Sequence, residues 1–156
     1  MVEFRHDPSV VPEDPNDKVQ YPEEYLREIL SDVFKVAVLG YHPDYESAAY
    51  VERLKARGFH IIPVNPTLAG ETHVNEVVPP SIFEIPTKID MIQVFGGPED
   101  AMFAARGIAE HKDKIGVKVL WLEPGTWNPD AARLAESAGV RVVMGLDAAE
   151  VAERLV

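Results

Sequence analysis

The residues that most clearly suggest ligand chemistry follow the first apolar segment, in VAVLG-YHPDYE. Gly40 ends this segment, and the next helical pattern begins at Glu46. In nucleotide-binding folds such a turn lays a phosphate against the amides that open the helix. Gly40 lacks the G-x-G-x-x-G pattern of dinucleotide sites, so a glycine that simply ends a strand is an equal alternative. His42 on this loop can pair with an anion when protonated, or be an ordinary exposed histidine.

Polar groups also stand at the ends of two later apolar segments. In IIPVNP, Asn65 follows the apolar run and no acidic residue is present for a ribose hydroxyl of NAD, so Asn65 either fixes its own loop or binds a ligand. Glu123 ends VLWLE, where a catalytic carboxylate is useful and a loop cap is the alternative. Tyr41 and Tyr45, near Gly40, can line or plug a pocket.

The residues that several classes of reaction require do not occur in this chain. Cysteine is absent, which excludes disulfides, thiolate metal sites and a cysteine nucleophile. No G-x-S-x-G elbow, P-loop lysine, HExxH motif or close histidine pair occurs, so triad catalysis, phosphoryl transfer and a metal site lack support. The sequence therefore favours a binding protein, then an interaction module, over an enzyme. An NAD(P)-dependent enzyme ranks third.

The charge balance restricts the partners. With 15 basic against 26 acidic residues, the formal net charge of −11 disfavours nucleic acid. A phosphate-bearing ligand must then rely on backbone amides and helix amino termini. No apolar run approaches the roughly 20 residues of a membrane helix, and MVEFRHDPSVVPEDP lacks the apolar stretch of a signal peptide. We expect a cytoplasmic protein with no membrane partner.

The elements that must position these residues alternate along the chain. Five nearly continuous apolar segments indicate strands buried on both faces of a parallel sheet: 35–40, 60–64, 91–95, 117–122 and 141–144. Helical patterns separate or follow them: 46–57, 99–112, 129–138 and 148–155. The alternation predicts an α/β fold, a Rossmann-like doubly wound parallel five-stranded sheet with helices on both faces. Such a sheet binds ligands at the carboxyl ends of its strands, where the candidate residues fall.

The remaining segments are predicted to complete one domain over residues 21–156. Residues 1–20 are rich in proline and acidic groups and are predicted to form an extended arm. A helix with an apolar stripe should follow over 21–33, and Gly58 and Gly139 should end two of the later helices. The segment 66–90 contains VVPPSIFEIP, which favours a single turn capped by Ser81 over a full crossover helix.

The order of these motifs resembles a known family. VAVLGYHP, GFHIIPVNPTLAGE, EIPTKIDMIQVF and VKVLWLEPGTWNPDAARLAESAGVRVVM are similar to segments of the small stand-alone CoA-binding-domain proteins, which are related to the CoA-binding domain of the succinyl-CoA ligase α subunit. V-N-P and W-L-E-P-G are the most specific part. The resemblance implies that coenzyme A lies across the strand ends, contacted by Gly40, Tyr41, His42, Asn65, Pro66, Phe95, Gly96 and Gly97. A rim of Glu123, Pro124, Gly125 and Thr126 would complete the site, and we add Tyr45 as a lining residue.

The chain departs from the family pattern at three places. Gly40-Tyr41-His42 replaces G-A-S, Gly96-Gly97 replaces a basic pair, and Gly145-Leu146-Asp147 replaces an arginine-cysteine segment. Each lost charge-assisted hydrogen bond weakens ligand binding by roughly 1.5 to 3 kcal/mol. The predicted function is non-enzymatic binding of coenzyme A or an acyl-CoA. The alternative is a degenerate pocket that binds another nucleotide or serves as a protein interaction module, with a homodimer as a candidate assembly.

Overall fold

Two short strands lie at the amino-terminal end of the described residues. The computed structural model describes residues 3–4 and 19–156, so most of the arm predicted for residues 1–20 lies outside the described residues. Strand β1 (Glu3–Phe4) pairs in parallel with β2 (Val19–Gln20). Helix α1 (Glu23–Ser31) follows and buries Leu26, Ile29 and Leu30, as its apolar stripe predicts.

Five parallel strands form the central sheet, in agreement with the predicted fold class. They are β3 (Lys35–Leu39), β4 (His60–Val64), β7 (Met91–Val94), β8 (Val119–Leu122) and β9 (Arg141–Met144). Their order across the sheet is β4-β3-β7-β8-β9, and each neighbouring pair is parallel. β3 and β4, which come first in the chain, thus form one side of the sheet. The later strands β7, β8 and β9 extend it on the other side.

Helices cover both faces because successive strand residues point in opposite directions. Along β3, Ala37 and Leu39 belong to one core cluster, which α3 (Pro98–Ile115) and α4 (Pro129–Ser137) cover. Val36 and Val38 belong to the other, which α1, α2 (Glu46–Ala56) and α5 (Ala148–Leu155) cover. The sheet is therefore doubly wound, as predicted. Trp121 of β8 is fully buried in the second cluster.

Loop chemistry fixes several element ends where the sequence predicts them. Gly58 and Gly139 adopt the left-handed backbone, with φ of 98° and 86°, two residues before the next strand begins. The Ser81 hydroxyl accepts a hydrogen bond from the amide of Phe83 in a single 3-10 turn, Ile82–Glu84. VVPPSIFEIP, the proline-rich part of the crossover between β4 and β7, thus forms a 3-10 turn where a full helix would otherwise be expected.

One strand begins later than its apolar pattern predicts. The prediction for β8 started at residue 117, but the ladder begins at Val119, which pairs with Met91. The amides of Lys118 and Val119 both donate to the carbonyl of Asp90, at 2.8 and 3.1 Å. Because two consecutive amides converge on one acceptor, regular pairing cannot start before Val119.

A small hairpin over the edge of the sheet has no counterpart in the sequence prediction. Strands β5 (Thr72–His73) and β6 (Glu76–Val77) pair antiparallel around a turn in which Val74 and Asn75 have φ of 56° and 63°. Two positive φ values are typical of a type I′ turn, which usually carries Asn-Gly. A β-branched valine there provides no turn signal, so the hairpin is hidden from local sequence analysis.

The outer strand β4 carries a proline near its end. The amide of His60 donates inward to the carbonyl of Phe34 at 2.8 Å. Since strand residues alternate, the nitrogens of Ile61 and Pro63 point away from the sheet. Proline has no amide hydrogen to offer, and a side of an edge strand that faces no neighbour is where a sheet tolerates it.

Candidate functional site at the carboxyl edge of the sheet

Gly40 lies where the strand order reverses, because β4 packs on one side of β3 and β7 on the other. Its φ is 82°, in the left-handed region that favours glycine. A Cβ atom built on Gly40 would lie 2.5 Å from the carbonyl oxygen of Phe95. Glycine therefore permits a close approach of two strand ends at the point where open α/β sheets form their ligand crevice.

The loop after Gly40 presents an aromatic pair to solvent. The imidazole of His42 stacks on Tyr45 with ring centroids 4.5 Å apart, and the tyrosine is 68% exposed. The Asp44 amide donates to Nδ1 of His42 at 3.1 Å, so the neutral imidazole carries its hydrogen on Nε2. Tyr41 is buried instead, with its ring 5.8 Å from that of His73 on the hairpin. Of the three aromatic residues predicted here, His42 and Tyr45 are therefore accessible from solvent and Tyr41 is not.

Asn65 holds two loops together with its side chain. Its Nδ2 donates to the carbonyl of Tyr41 at 2.8 Å, and its Oδ1 accepts from the amide and hydroxyl of Thr67 at 2.9 and 2.7 Å. The amide thus has partners on both its donor and acceptor sides. Of the two roles predicted for Asn65, the geometry favours loop fixing, which places Pro66 at the start of the short turn Pro66–Leu68.

Phe95 directly follows β7 and stacks on Tyr50, with ring centroids 5.6 Å apart and the two rings nearly parallel at 6°.

A carboxylate occupies the start of α3, just after this strand end. The amide of Gly97 donates to Oδ2 of Asp100 at 2.8 Å. A Cβ on Gly96, whose φ is 125°, would overlap the same carboxylate. The two glycines in place of the family's basic pair therefore accommodate an acidic side chain at this helix end.

A mainly apolar cavity of about 290 Å³ connects these loops. It brings together three predicted site residues, Gly40, Pro66 and Phe95. The structure adds residues that sequence reasoning missed, from the proline-rich crossover and from the first turns of α3. The complete lining is Leu39, Gly40, Val64, Pro66, Pro80, Ser81, Ile82, Phe95, Asp100 and Phe103. Phe103 is 59% exposed, and a large apolar side chain left on the surface of a helix is the signal that could have indicated it.

The predicted rim after β8 is turned partly inward. Glu123 and Thr126 are buried, whereas Pro124 and Gly125 are exposed. The Thr126 hydroxyl donates to the carbonyl of Glu123 at 2.7 Å. Glu123 and Thr126 therefore hold this loop from its buried side. A Cβ atom built on Gly125 would lie 3.5 Å from the carbonyl oxygen of Gly96.

The Glu123 carboxyl joins β8 to the last helix. Its Oε2 accepts from the Ala148 amide at 3.0 Å and from Nε2 of Gln93 at 3.1 Å. Burial raises the pKa of Glu123 to about 8, although these two hydrogen bonds act in the opposite direction. Oε1 of Glu123 and Oε1 of Gln93 are buried without a partner among the described residues. A protonated, neutral carboxyl suits these surroundings better than a buried negative charge.

The described residues offer neither a metal site nor a membrane-spanning helix. Within residues 19–156, no three His, Asp or Glu side chains group closely enough to hold a metal ion. No helix in the same part of the chain is long and apolar enough to span a membrane. The features of the cavity at the strand ends that bear on a ligand are its shape, its apolar lining and the charge of Asp100.

Known proteins are similar to this chain in sequence or in fold. The YneT protein of Bacillus subtilis is 32% identical over 123 residues, which are 78% of this chain and 87% of YneT. A hypothetical protein from Pyrococcus horikoshii is 28% identical, with a TM-score of 0.78 over 94% of this chain and 99% of that one. A Korarchaeum cryptofilum acetyl-coenzyme A synthetase shares the fold, with 19% identity and a TM-score of 0.62 over 76% of this chain and 27% of its own.

The sequence pattern of one family covers most of the domain. It matches residues 35–146, from the first residue of β3 to the loop before α5, and its description is "CoA binding domain". This range contains every strand of the central sheet and every lining residue of the cavity. The chain belongs to the CoA-binding-domain family.

Proposed function

We propose that this protein binds coenzyme A or an acyl-CoA at the carboxyl edge of its sheet, without catalysing a reaction on it. The observation that carries the proposal is the apolar cavity where the strand order reverses, beside the Gly40 loop. Membership of the CoA-binding-domain family supports the same ligand class. Ligand sites of open α/β sheets lie at this position, and small-molecule sites are concave and mostly apolar.

The predicted site residues divide into two roles in this proposal. Direct contact with the ligand is assigned to those on the cavity or its exposed rim: Gly40, His42, Tyr45, Pro66, Phe95, Gly97, Pro124 and Gly125. The others position the loops from within: Tyr41, Asn65, Gly96, Glu123 and Thr126. The described residues that line the cavity include no lysine or arginine, so backbone amides at the start of α2 and Nε2 of His42 are the proposed phosphate donors.

Mass spectrometry of the denatured, purified protein tests the proposed ligand directly. We expect coenzyme A or an acyl-CoA to be released, and titration calorimetry of the emptied protein to show saturable binding of coenzyme A. NAD should give no signal, because the second strand end lacks an acidic residue for its ribose. Release of a different nucleotide, or no heat with coenzyme A at millimolar concentration, would reject the proposal.

Adding a cation at Gly97 should strengthen coenzyme A binding. Gly97 has an extended backbone, with φ of −118° and ψ of −177°, and its ideal Cβ lies 3.6 Å from the nearest Glu99 carboxylate atoms. Gly97→Arg therefore fits without strain and supplies one of the basic groups that the family pattern has there. We expect about tenfold tighter binding at low salt, since one exposed charge-assisted contact is worth on the order of 1.5 kcal/mol at most.

The control for this variant is Gly97→Gln, which adds a long polar side chain without charge. Calorimetric titrations at two salt concentrations should show a gain for arginine that shrinks as salt rises. Equal affinities for both variants would show that charge at this helix end does not reach the ligand.

A second candidate function is a protein interaction module with an emptied pocket. Exposed Tyr45 and Phe103 and the acidic Asp100 at the cavity favour it. A homodimer, a cytoplasmic location and a single domain over residues 21–156 belong to the proposal as well. Light scattering of the purified protein measures the first of these, and the mass spectrometric experiment separates the two functions.

A further inference from the structure

We propose that Asp100 is a specificity-determining residue, which keeps phosphate out of the cavity and leaves the cavity to an uncharged part of the ligand. The inference rests on the proposed coenzyme A function and adds the orientation of the ligand. It starts from the amino-terminal end of α3, which is a natural place for a phosphate in this fold. In this chain that helix end is already in use.

Three amides at the start of α3, those of Gly97, Asp100 and Ala101, have partners within the protein. The Gly97 amide donates to the Asp100 carboxylate at 2.8 Å, and Pro98 has no amide hydrogen. The amides of Asp100 and Ala101 both donate to the carbonyl of Gly97, at 3.1 and 3.4 Å. The carboxylate thus takes the position that an anionic ligand would take at this helix end.

The same carboxylate borders the cavity. Asp100 lies on its wall together with Phe95 and Phe103, and among the described lining residues it carries the one charge. A phosphate in the cavity would lie near this negative group with no cation to offset it. Two like charges about 4 Å apart in water change a binding constant roughly fivefold, and more where water is partly excluded.

The rest of the wall suits an uncharged group. Leu39, Val64 and Ile82 are buried core residues whose side chains border the cavity, and prolines complete the apolar surface. The Asp100 carboxylate can accept hydrogen bonds from N–H or O–H groups. Coenzyme A offers such donors on apolar frames in two places, its pantetheine arm and its adenosine. The phosphates are then left outside the cavity, on the exposed rim between Gly97 and the backbone amides at the start of α2.

The variant Asp100→Asn tests this assignment. Asparagine has the same shape, and its oxygen can still accept from the Gly97 amide, so the helix start is kept. Asp113→Asn is the matched control, because Asp113 is an exposed residue of the same helix and does not line the cavity. Titration calorimetry at low salt is carried out on the full chain with inorganic pyrophosphate, pantetheine, adenosine and coenzyme A.

We expect Asp100→Asn to bind pyrophosphate about fivefold more tightly than the wild type and Asp113→Asn, with the gain reduced at high salt. Pantetheine or adenosine should bind the wild type and change less than twofold in the variant; the one that binds identifies the part of the ligand in the cavity. Equal or undetectable pyrophosphate binding by all three proteins would overturn the inference, as would binding of neither uncharged fragment. If the wild type does not bind coenzyme A, the proposed function fails; if it does and Asp100→Asn shows no gain, only this inference fails.

Discussion

Replacing Glu123 with glutamine should remove a large part of the pH dependence of stability. The pKa of Glu123 is raised from 4.5 to about 8 by burial. Between these values the folded protein holds a proton that the unfolded chain has released, so the free energy of unfolding falls as pH rises. The contribution of Glu123 to the free energy of unfolding is largest below pH 4.5 and is lost by about pH 8. The full gap corresponds to at most about 5 kcal/mol, and we expect about 2 to 4 kcal/mol.

Glutamine keeps the shape of the buried carboxyl and carries no charge at any pH. Its oxygen can accept from Ala148 and Gln93, as Oε2 of Glu123 does. The charged neighbours Asp147 and Arg53 are unchanged, and they act on Glu123 in opposite directions. At pH 8 the variant should therefore be more stable than the wild type by most of the amount that the wild type loses.

Urea unfolding at pH 5 and pH 8.5 measures this difference. The control is Glu52→Gln, an exposed residue of α2 that undergoes the same chemical change. The control should keep the slope of the wild type, whereas Glu123→Gln should be nearly flat between these two pH values. A Glu123→Gln protein with the wild-type slope would mean that another group titrates over this range.

Gly40→Ala should destabilise the fold by about 3 kcal/mol or more. An alanine at a φ of 82° costs roughly 1 to 2 kcal/mol in backbone strain. Its Cβ would also lie 2.5 Å from the carbonyl oxygen of Phe95, so two strand ends must separate. Ligand binding should weaken together with stability, because the cavity is formed by these strand ends.

Gly58→Ala separates the two contributions. Gly58 has a similar φ of 98°, but a Cβ there would meet no heavy atom within 4 Å. It should lose only the strain, about 1 to 2 kcal/mol. Thermal or urea unfolding of both variants gives the steric part as the difference. Equal losses for the two would show that the Phe95 strand end moves aside without cost.

The sequence predicts the sheet well because buried parallel strands leave a strong signal. Residues 60–64 and 141–144 are predicted with their observed bounds, since both are short apolar runs that follow a glycine at a helix end. The hairpin around Val74 could not be predicted in this way. Its turn depends on a backbone conformation that valine rarely adopts, and neighbouring elements must stabilise it.

The chemistry of the strand-end loops was less predictable than their position. The sequence places Glu123 at a strand end but does not show that its carboxyl turns under the last helix to meet Ala148. That contact joins residues 25 apart in the chain and depends on α5 folding onto its face of the sheet. Asp100 was missed for a similar reason, because only the folded helix start directs it toward the cavity.

The proline in β4 has a consequence for how copies of this protein meet. The outward side of β4 offers the amide of Ile61 as a donor, while Pro63 offers none. An incoming strand would therefore find an interrupted row of hydrogen-bond donors and could not extend the sheet continuously along this margin. Proteins commonly protect exposed sheet margins from fibril-like stacking in this way. The cavity at the strand ends can therefore lie beside this sheet margin without continuous strand pairing between copies of the protein along it.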